Sequence, residues 1–338
     1  MKKISLFCFI LLSYAASGVC AESGLTALVG SSLQQLQVAK GSGDLAALTN
    51  ANYVRLRGQT TEKYVDEIAA ATGCSVGKGN MLFFNERPHN VILVALGNKK
   101  TFQSIVLRYE GEAWTSGPLS LRGEDMEKAD YFWKAVQGVG GKQSFHVISI
   151  LGAWMLGVPY DYLKSAELHS HICPGLFFGY IMAKGVEANM PLREYENYIY
   201  IGSPNECKED AMQVVLGVTG GKRTMFIKKL AQNQLVEIPG RVITGIVVRW
   251  SKMENKGTGL VVSIDLDAIK KVTKVGKEMP ANLKLLAARK LNGRLTETEM
   301  FFRIEKEFQV DKELKEKLVM AGVNPYELLA MTPVVPKK

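Results

Sequence analysis

Two stretches of the sequence, residues 60–83 and 204–227, align with one another without a gap. They read TTEKYVDEIAAATGCSVGKGNMLF and PNECKEDAMQVVLGVTGGKRTMFI, at a constant offset of 144 positions. Six of the 24 aligned positions are identical, whereas average composition gives about one or two. This self-similarity indicates two copies of one structural unit, and chance similarity between two helix-to-strand segments is the alternative. The identical pairs are Glu62/Glu206, Asp66/Asp210, Gly73/Gly217, Gly77/Gly221, Lys78/Lys222 and Met81/Met225.

Outward from these stretches, each copy predicts a short strand, a helix, a glycine-containing turn and two further strands. The first strand is placed by Asn52-Tyr53-Val54, which mirrors Asn197-Tyr198-Ile199 at an offset of 145. Helices that alternate with both sequential and crossover strands predict the α+β class. The predicted ranges are Tyr53–Leu56, Thr61–Thr72, Met81–Phe84 and Val91–Leu96 in the first copy, and Tyr198–Ile201, Cys207–Leu216, Met225–Ile227 and Val242–Trp250 in the second.

The remaining sequence completes a four-part organisation. We predict a signal peptide at residues 1–21, a degenerate first copy at 22–137, a second copy at 138–279, and a helical extension with a tail at 280–338. Further predicted elements are strand Ser104–Tyr109 and helices Gly123–Val136, Phe145–Leu156, Gly175–Glu187, Glu297–Glu307 and Lys312–Ala321.

The N-terminus has the layout of an export signal. Lys2 and Lys3 precede an apolar run, and small residues follow it, so cleavage is predicted after Ala21. The mature protein is therefore expected to be periplasmic or secreted. A lipid-modified Cys20 is the alternative, although Val19 departs from the Gly or Ala usual before such a cysteine.

Composition limits the possible partners. The 338 residues are 47% apolar and 22% charged, as in an ordinary globular protein. The formal charge of +9 becomes +7 once the signal, which holds two lysines and no acidic residue, is removed. The basic excess is spread along the chain, so no nucleic-acid partner is predicted, while a small anionic ligand remains compatible with it. No stretch reaches the roughly 18–20 apolar residues of a membrane span.

One short segment concentrates metal-binding residue types. His169, His171 and Cys173 fall within five residues of a chain with only four histidines, and imidazole and thiolate are preferred ligands of zinc, copper and iron. In an extended segment, alternation would point all three to one side. Pro174 suits the first turn of the following helix, which places Cys173 at the N-cap, where the helix dipole lowers a thiol pKa. The alternative is that these histidines only form hydrogen bonds and that Cys173 packs as a small apolar residue.

The aligned stretches contain further candidates. Cys207 starts the helix that carries Asp210, which could hydrogen-bond to a ligand histidine or simply favour the first helical turn. The glycine-rich turns contain Lys78 and Lys222, but three residues instead of four separate the glycines and no Ser or Thr follows, so a phosphate loop is excluded. Each lysine could contact an anion or solvent. The isolated His89 and His146 are assigned to packing or to the surface.

The segment His169-Ser-His171-Ile-Cys173-Pro174-Gly175-Leu176 resembles the H-G-H-x-C-P-G-L block of the formylmethanofuran dehydrogenase FmdE family. A second block of that family resembles the sequence from Cys207 through Asp210 to the Gly217 turn. The family continuation T-G-C-T-x-G-K-G-N resembles residues 72–80 of the first copy, which include Cys74. The two copies thus retain different parts of one motif, and Ser170 replaces the usual glycine.

The resemblance implies an α+β core with a Cys/His metal site in proteins that dimerise, so the two copies here would form a pseudo-dimer within one chain. The cysteine-free C-terminus implies that the zinc finger of some members is absent. We predict a transition metal, zinc above all, bound by His169, His171, Cys173 and Cys207, with Cys74, Lys78, Asp210 and Lys222 as further contributors. An open coordination position would permit catalysis, and a closed set would indicate a carrier or structural site. The alternative is a non-metal binding module in which Cys173 is a reactive thiol and Lys78 or Lys222 binds an anion.

Overall fold

The computed structural model describes residues 24–86, 90–204, 206–274 and 280–331. The predicted signal peptide and His89 lie outside these residues. The chain divides into two compact units between Gly157 and Val158, whereas the sequence placed the boundary before residue 138. Both units combine a five-stranded mixed sheet with helices, so the predicted α+β class is confirmed.

The first unit begins with a helix and builds its sheet from strands that are mostly apolar. Its helices are α1 (residues 24–35), α2 (Lys63–Thr72), α3 (Gly123–Met126), α4 (Tyr131–Gln137) and α5 (Ser144–Met155). Its strands are β1 (Leu45–Thr49), β2 (Arg55–Leu56), β3 (Gln59–Thr60), β4 (Met81–Phe83), β5 (Ile92–Asn98), β6 (Gln103–Glu110) and β7 (Ala113–Ser120). The sheet order is β4-β1-β5-β6-β7, and only the β1–β4 pair is parallel.

Helices cover both faces of this sheet. On one face, Leu25 of α1 and Ile68 of α2 belong to a buried cluster with Val94 of β5. On the other face α5 packs so closely that a Cβ added to Gly97 would lie 2.8 Å from the Leu151 side chain. Strands covered on both sides need apolar residues at every position, and all seven residues of β5 are buried.

The second unit carries the histidine and cysteine segment. Its helices are α6 (Tyr160–His169), α7 (Pro174–Asn189), α8 (Lys208–Val215), α9 (Leu266–Thr273), α10 (Ala281–Asn292), α11 (Thr298–Phe301), α12 (Lys312–Val319) and α13 (Pro325–Leu328). Its strands are β8 (Glu196–Gly202), β9 (Met225–Ile227), β10 (Arg241–Ser251), β11 (Lys256–Asp265) and β12 (Phe302–Asp311). None of the helices that the structure describes has both the length and the apolar character needed to cross a bilayer.

The two sheets have the same topology. The order in the second unit is β9-β8-β10-β11-β12, again with only the first pair parallel. In both units a helix, α2 or α8, connects the two parallel strands, as a parallel pair requires a crossover. The second unit differs in that α9, α10 and α11 lie between β11 and its last strand.

One predicted strand is wrong. The sequence assigned the strand before the first copy's helix to Tyr53–Leu56, but the central strand is β1, and only Arg55–Leu56 forms a short hairpin with β3. Ala47 pairs with Met81 as Tyr200 pairs with Met225, so the strands are equivalent at 153 positions, not 145. A buried central strand needs the apolar residues of LAALT, which the mixed Asn52-Tyr53-Val54-Arg55 segment does not supply.

The C-terminal region is also less helical than predicted. Instead of a helix at Glu297–Glu307, α11 is one short turn, and β12 completes the sheet by pairing with β11. Apolar residues at Phe302, Ile304, Phe308 and Val310 alternate at the period of a strand. The residues after 280 therefore contribute to the sheet of the second unit and are not only a helical extension. The helix predicted at Gly123–Val136 is divided into α3 and α4.

Candidate metal centre

His169 is the last residue of α6. The helix ends there because Ser170 takes a left-handed conformation, with φ +71°, at a C-cap position that glycine usually fills. Four residues, 170–173, separate α6 from α7. The predicted extended segment from His169 to Cys173 is therefore wrong: His169 is helical, and a tight turn brings it back towards Cys173.

Cys173 is the N-cap residue of α7, as the sequence predicted. Its backbone is extended, with φ −137° and ψ 170°, and Pro174 occupies the first helical position. Proline is tolerated there because its missing N–H would have no partner within the helix. The side chain of Cys173 is thus fixed at the start of α7, and the residue is 7% exposed.

Cys207 precedes α8 and reaches the site because α7 and α8 pack closely. A Cβ added to Gly175 of α7 would lie 2.8 Å from Cβ and 3.5 Å from Sγ of Cys207. One turn further along, a Cβ on Gly179 would overlap the backbone carbonyl of Lys208. Two glycines four residues apart lie on one side of a helix, so this side of α7 lets the start of α8 approach.

The ligand atoms of His169, Cys173 and Cys207 lie within 4.8 Å of one another. Cys173 Sγ is 3.7 Å from His169 Nε2, close to the roughly 3.5 Å between sulfur and nitrogen ligands on one tetrahedral zinc ion. Imidazole and thiolate are also the donor types that zinc and similar transition metals prefer. Both the spacing and the chemistry of the three side chains therefore fit a transition metal ion.

Asp210, in the first turn of α8, orients the histidine. Its Oδ2 atom is 2.7 Å from His169 Nδ1, which leaves Nε2 directed at the thiols. Histidines that bind metals commonly have such a carboxylate on the second ring nitrogen, because it fixes the tautomer and raises ligand basicity.

The two thiols differ in their protonation. Hydrogen bonds with Cys173 and His169 lower the pKa of Cys207 to about 4. The hydrogen bond with Cys207, together with burial, raises the pKa of Cys173 well above its ordinary value. The backbone N–H groups of Gly175 and Leu176 at the start of α7 lower the Cys173 pKa, as the sequence predicts, but Cys207 and the loss of solvent outweigh them, so the net shift is upward.

His169 carries a proton in the metal-free site at neutral pH. Burial lowers its pKa, but hydrogen bonds with Asp210 and Cys207 outweigh burial and raise the pKa to about 9. The centre therefore contains an imidazolium between a carboxylate and a thiolate, and metal binding at Nε2 requires the loss of that proton.

The fourth predicted ligand, His171, lies beside this group. Its ring centroid is 4.3 Å from that of His169, with 40° between the ring planes. The structure thus brings together the ligand atoms of three of the four predicted ligands and places the fourth imidazole against one of them.

The two glycine-rich turns have matching internal hydrogen bonds. Lys222 Nζ donates to the carbonyl of Gly217 at 2.9 Å, and Lys78 Nζ donates to that of Gly73 at 2.8 Å. Both lysines are exposed. Cys74 belongs to the core of the first unit, and burial raises the pKa of its thiol. Of the isolated histidines, His146 packs in the first unit by stacking on Phe84.

Sequence reasoning missed the residues that support the site. The glycines at 175 and 179 have the G-x-x-x-G spacing, which could have indicated a close helix contact. Lys208 and Glu209 form a buried ion pair, with 2.7 Å between Nζ and Oε1. Tyr200 donates a further hydrogen bond to Glu209 at 2.9 Å. No sequence signal marks this pair, because adjacent charges are typical of a solvated helix face.

Comparison with known families supports the resemblance for the second unit. Residues 168–311 match the family model described as FmdE, Molybdenum formylmethanofuran dehydrogenase operon. The match extends from the residue before His169 to the last residue of β12, so it includes the three converging side chains and the whole sheet of this unit. No curated protein matches the chain.

Proposed function

We propose that this protein is an exported, duplicated FmdE-like protein that binds one transition metal ion in its second unit. The observation that carries the proposal is the convergence of His169, Cys173 and Cys207 within 4.8 Å. These residues come from the end of α6, the start of α7 and the start of α8, and Asp210 holds the histidine in a ligand orientation.

Zinc is the proposed metal. A set of one histidine and two cysteines is typical of catalytic zinc sites, which keep a fourth position for water or substrate, whereas structural sites have four protein ligands. A zinc ion with an open position would supply Lewis-acid chemistry and acidify a bound water. Whether the site is open or closed depends on His171. If His171 is a fourth ligand, the site is closed and suits metal handling. If it is not a ligand, the open position permits catalysis.

Two structural features support the proposed duplication. The two sheets share strand order and orientation, and Lys78 and Lys222 make the same hydrogen bond to the glycine five positions earlier. The proposal that the two copies pair as a pseudo-dimer, with Cys74 and Lys78 contributing to the metal centre, rests on the divided family motif.

Metal content of the purified full chain tests the centre directly. Protein prepared without added metal should contain about one zinc ion per chain by elemental analysis, and Cys173→Ser or Cys207→Ser should remove it. Cys74→Ala tests whether the third cysteine of the mature chain contributes to the metal centre. Loss of metal from this variant, once it is shown to be folded, would support that contribution. If the wild-type protein contains no metal and recovers none from a zinc solution, the proposal is wrong.

Export is tested separately. Expression of the full-length chain in a Gram-negative bacterium, followed by fractionation and intact mass measurement, should give a periplasmic product that begins at Glu22. A cytoplasmic product that retains Met1 or Lys2 would contradict the export part and leave the metal centre unaffected.

The low pKa of Cys207 favours a second candidate, a metal-free protein with a reactive thiol. We assign the reactive thiol to the half-buried Cys207 instead of Cys173, because the pKa of Cys207 is lowered whereas that of Cys173 is raised. If this candidate is right, the purified protein contains no metal, and iodoacetamide at pH 6 modifies Cys207 faster than Cys74. Protection of Cys207 by stoichiometric zinc would instead favour the metal centre.

A further inference from the structure

A cavity of about 380 Å³ in the second unit is lined by four basic side chains. Lys222 and Arg223 come from the glycine-rich turn, Lys252 follows β10, and Lys315 comes from α12. No acidic residue is among those that line it, and none of these four cations forms an ion pair within the residues the structure describes. The positive charges in the cavity are therefore not balanced by carboxylates.

Two of the four basic side chains are held in place by neighbours within the unit. Lys315 Nζ lies 4.3 Å from the ring centroid of Trp250, a cation–π contact, and Trp250 is buried with 2% exposure. Lys222 Nζ donates to the Gly217 carbonyl, and its backbone N–H donates to Thr219 Oγ1 at 3.1 Å. A lysine fixed by a single hydrogen bond retains two further donors for a ligand.

The turn also contains an arginine in a conformation that favours glycine. Arg223 has φ +56°, and the corresponding residue of the first unit is Gly79, with φ +66°. A residue with a Cβ is disfavoured in this left-handed region, whereas glycine is not. The second unit therefore adopts a costly backbone conformation at an arginine that lines the cavity, and such strain is often found at functional sites.

We propose that this cavity binds a small phosphate compound with at least two negative charges, such as a diphosphate or a phosphate ester. The guanidinium of Arg223 matches the geometry of a phosphate through paired N–H donors, and the three lysines supply further positive charge. Pockets of a few hundred cubic ångströms suit small ligands. The cavity is lined by none of His169, Cys173, Cys207 and Asp210, so the proposal does not depend on the proposed metal function, and it gives Lys222 a role apart from the metal centre.

Isothermal titration of the full mature chain with pyrophosphate tests this proposal. We expect one saturable site that weakens with added sodium chloride, because salt screens exposed charges. Arg223→Gln/Lys252→Gln should weaken binding about tenfold or more, since hydrogen bonds to charged groups are among the stronger ones. Lys271→Gln/Lys284→Gln removes the same charge from exposed positions outside the cavity and should change affinity less than about twofold.

Two further measurements make the result decisive. Pyrophosphate also binds metal ions, so the titration is repeated on Cys173→Ser, in which the affinity should be unchanged. If the double variant proves unstable, the single variant Lys315→Gln replaces it, with circular dichroism as a check of folding. This variant should also weaken pyrophosphate binding. Absence of saturable binding, equal losses in the two double variants, or loss of binding in Cys173→Ser would each overturn the proposal.

Discussion

Binding of a divalent metal at pH 7 is expected to release about two protons from the centre. Cysteine binds metals as thiolate and histidine as neutral imidazole, so each proton held by the metal-free ligands has to leave. Cys207, with its pKa lowered to about 4, is already a thiolate and releases none. Cys173, whose pKa is raised, and His169, whose pKa is about 9, each release one.

The size and sign of the pH effect follow from these values. At pH 7, two units below the pKa of His169, proton competition at this residue alone weakens the apparent metal affinity about a hundredfold. Raising the pH from 7 towards 9 should therefore strengthen binding, and lowering it should weaken binding. Because the Cys173 proton must also leave, the affinity should change by up to about a hundredfold per pH unit below pH 9.

Asp210→Asn separates the contribution of His169. The variant removes the carboxylate that helps to raise the pKa of His169, so the number of protons released at pH 7 should fall from about two towards one. Asp267→Asn is the matched control, because Asp267 is also an acid in the first turn of a helix in the second unit, and pairs with Lys270 instead of a ligand. The control should still release about two protons.

Calorimetric titration with zinc in buffers of different ionisation enthalpy gives the proton count, with titration of a weakly buffered solution as an independent measurement. Release of no proton by the wild-type protein, or equal release by Asp210→Asn and wild type, would refute the assigned protonation of the centre.

Three further predictions concern stability and are measured by denaturant unfolding. Gly179→Ala should lower the free energy of unfolding by about 1–3 kcal/mol by overpacking α7 against α8, and it should weaken zinc binding. Gly220→Ala is the control, because Gly220 has open space around it, and it should change stability and zinc affinity much less. Lys208→Met should cost about 3–5 kcal/mol because it leaves the buried carboxylate of Glu209 unpaired, and adding Glu209→Gln should restore part of the loss; an equal or larger loss in the double variant would contradict this. Arg223→Gly should stabilise the protein by up to about 1 kcal/mol by removing left-handed strain, and it should weaken pyrophosphate binding. Destabilisation would show that the strain is compensated within the fold.

Sequence patterns with short range gave the more accurate predictions. Cys173 and Pro174 were assigned to the start of α7, and the structure confirms this, because capping depends on neighbouring residues only. The apolar helix predicted at Phe145–Leu156 is confirmed as α5 within one residue at each end. The prediction failed at β12, where the Lys and Glu content favoured a helix but the alternating apolar residues and the free edge of β11 produced a strand.

The ligand set was only partly predictable. His169 and Cys173 are close in sequence, so any compact turn between α6 and α7 brings them together, whatever its exact shape. Cys207 lies 34 residues after Cys173, and only the resemblance to a known family pointed to it. Its position depends on the glycine contact between α7 and α8. The G-x-x-x-G spacing in α7 indicates a close contact but does not identify α8 as the helix that makes it.

The fold class, the N-cap position of Cys173 and the residue types of the candidate centre follow from the sequence, because these depend on composition, periodicity and neighbouring residues. The tertiary fold was needed to bring Cys207 beside Cys173, which lowers the pKa of Cys207 and raises that of Cys173. It also sets Asp210 against His169 and groups Arg223 with three lysines around one cavity. The physical reason is that pKa values and charge clusters depend on distances of a few ångströms between residues far apart in the chain. Helix and sheet packing sets those distances.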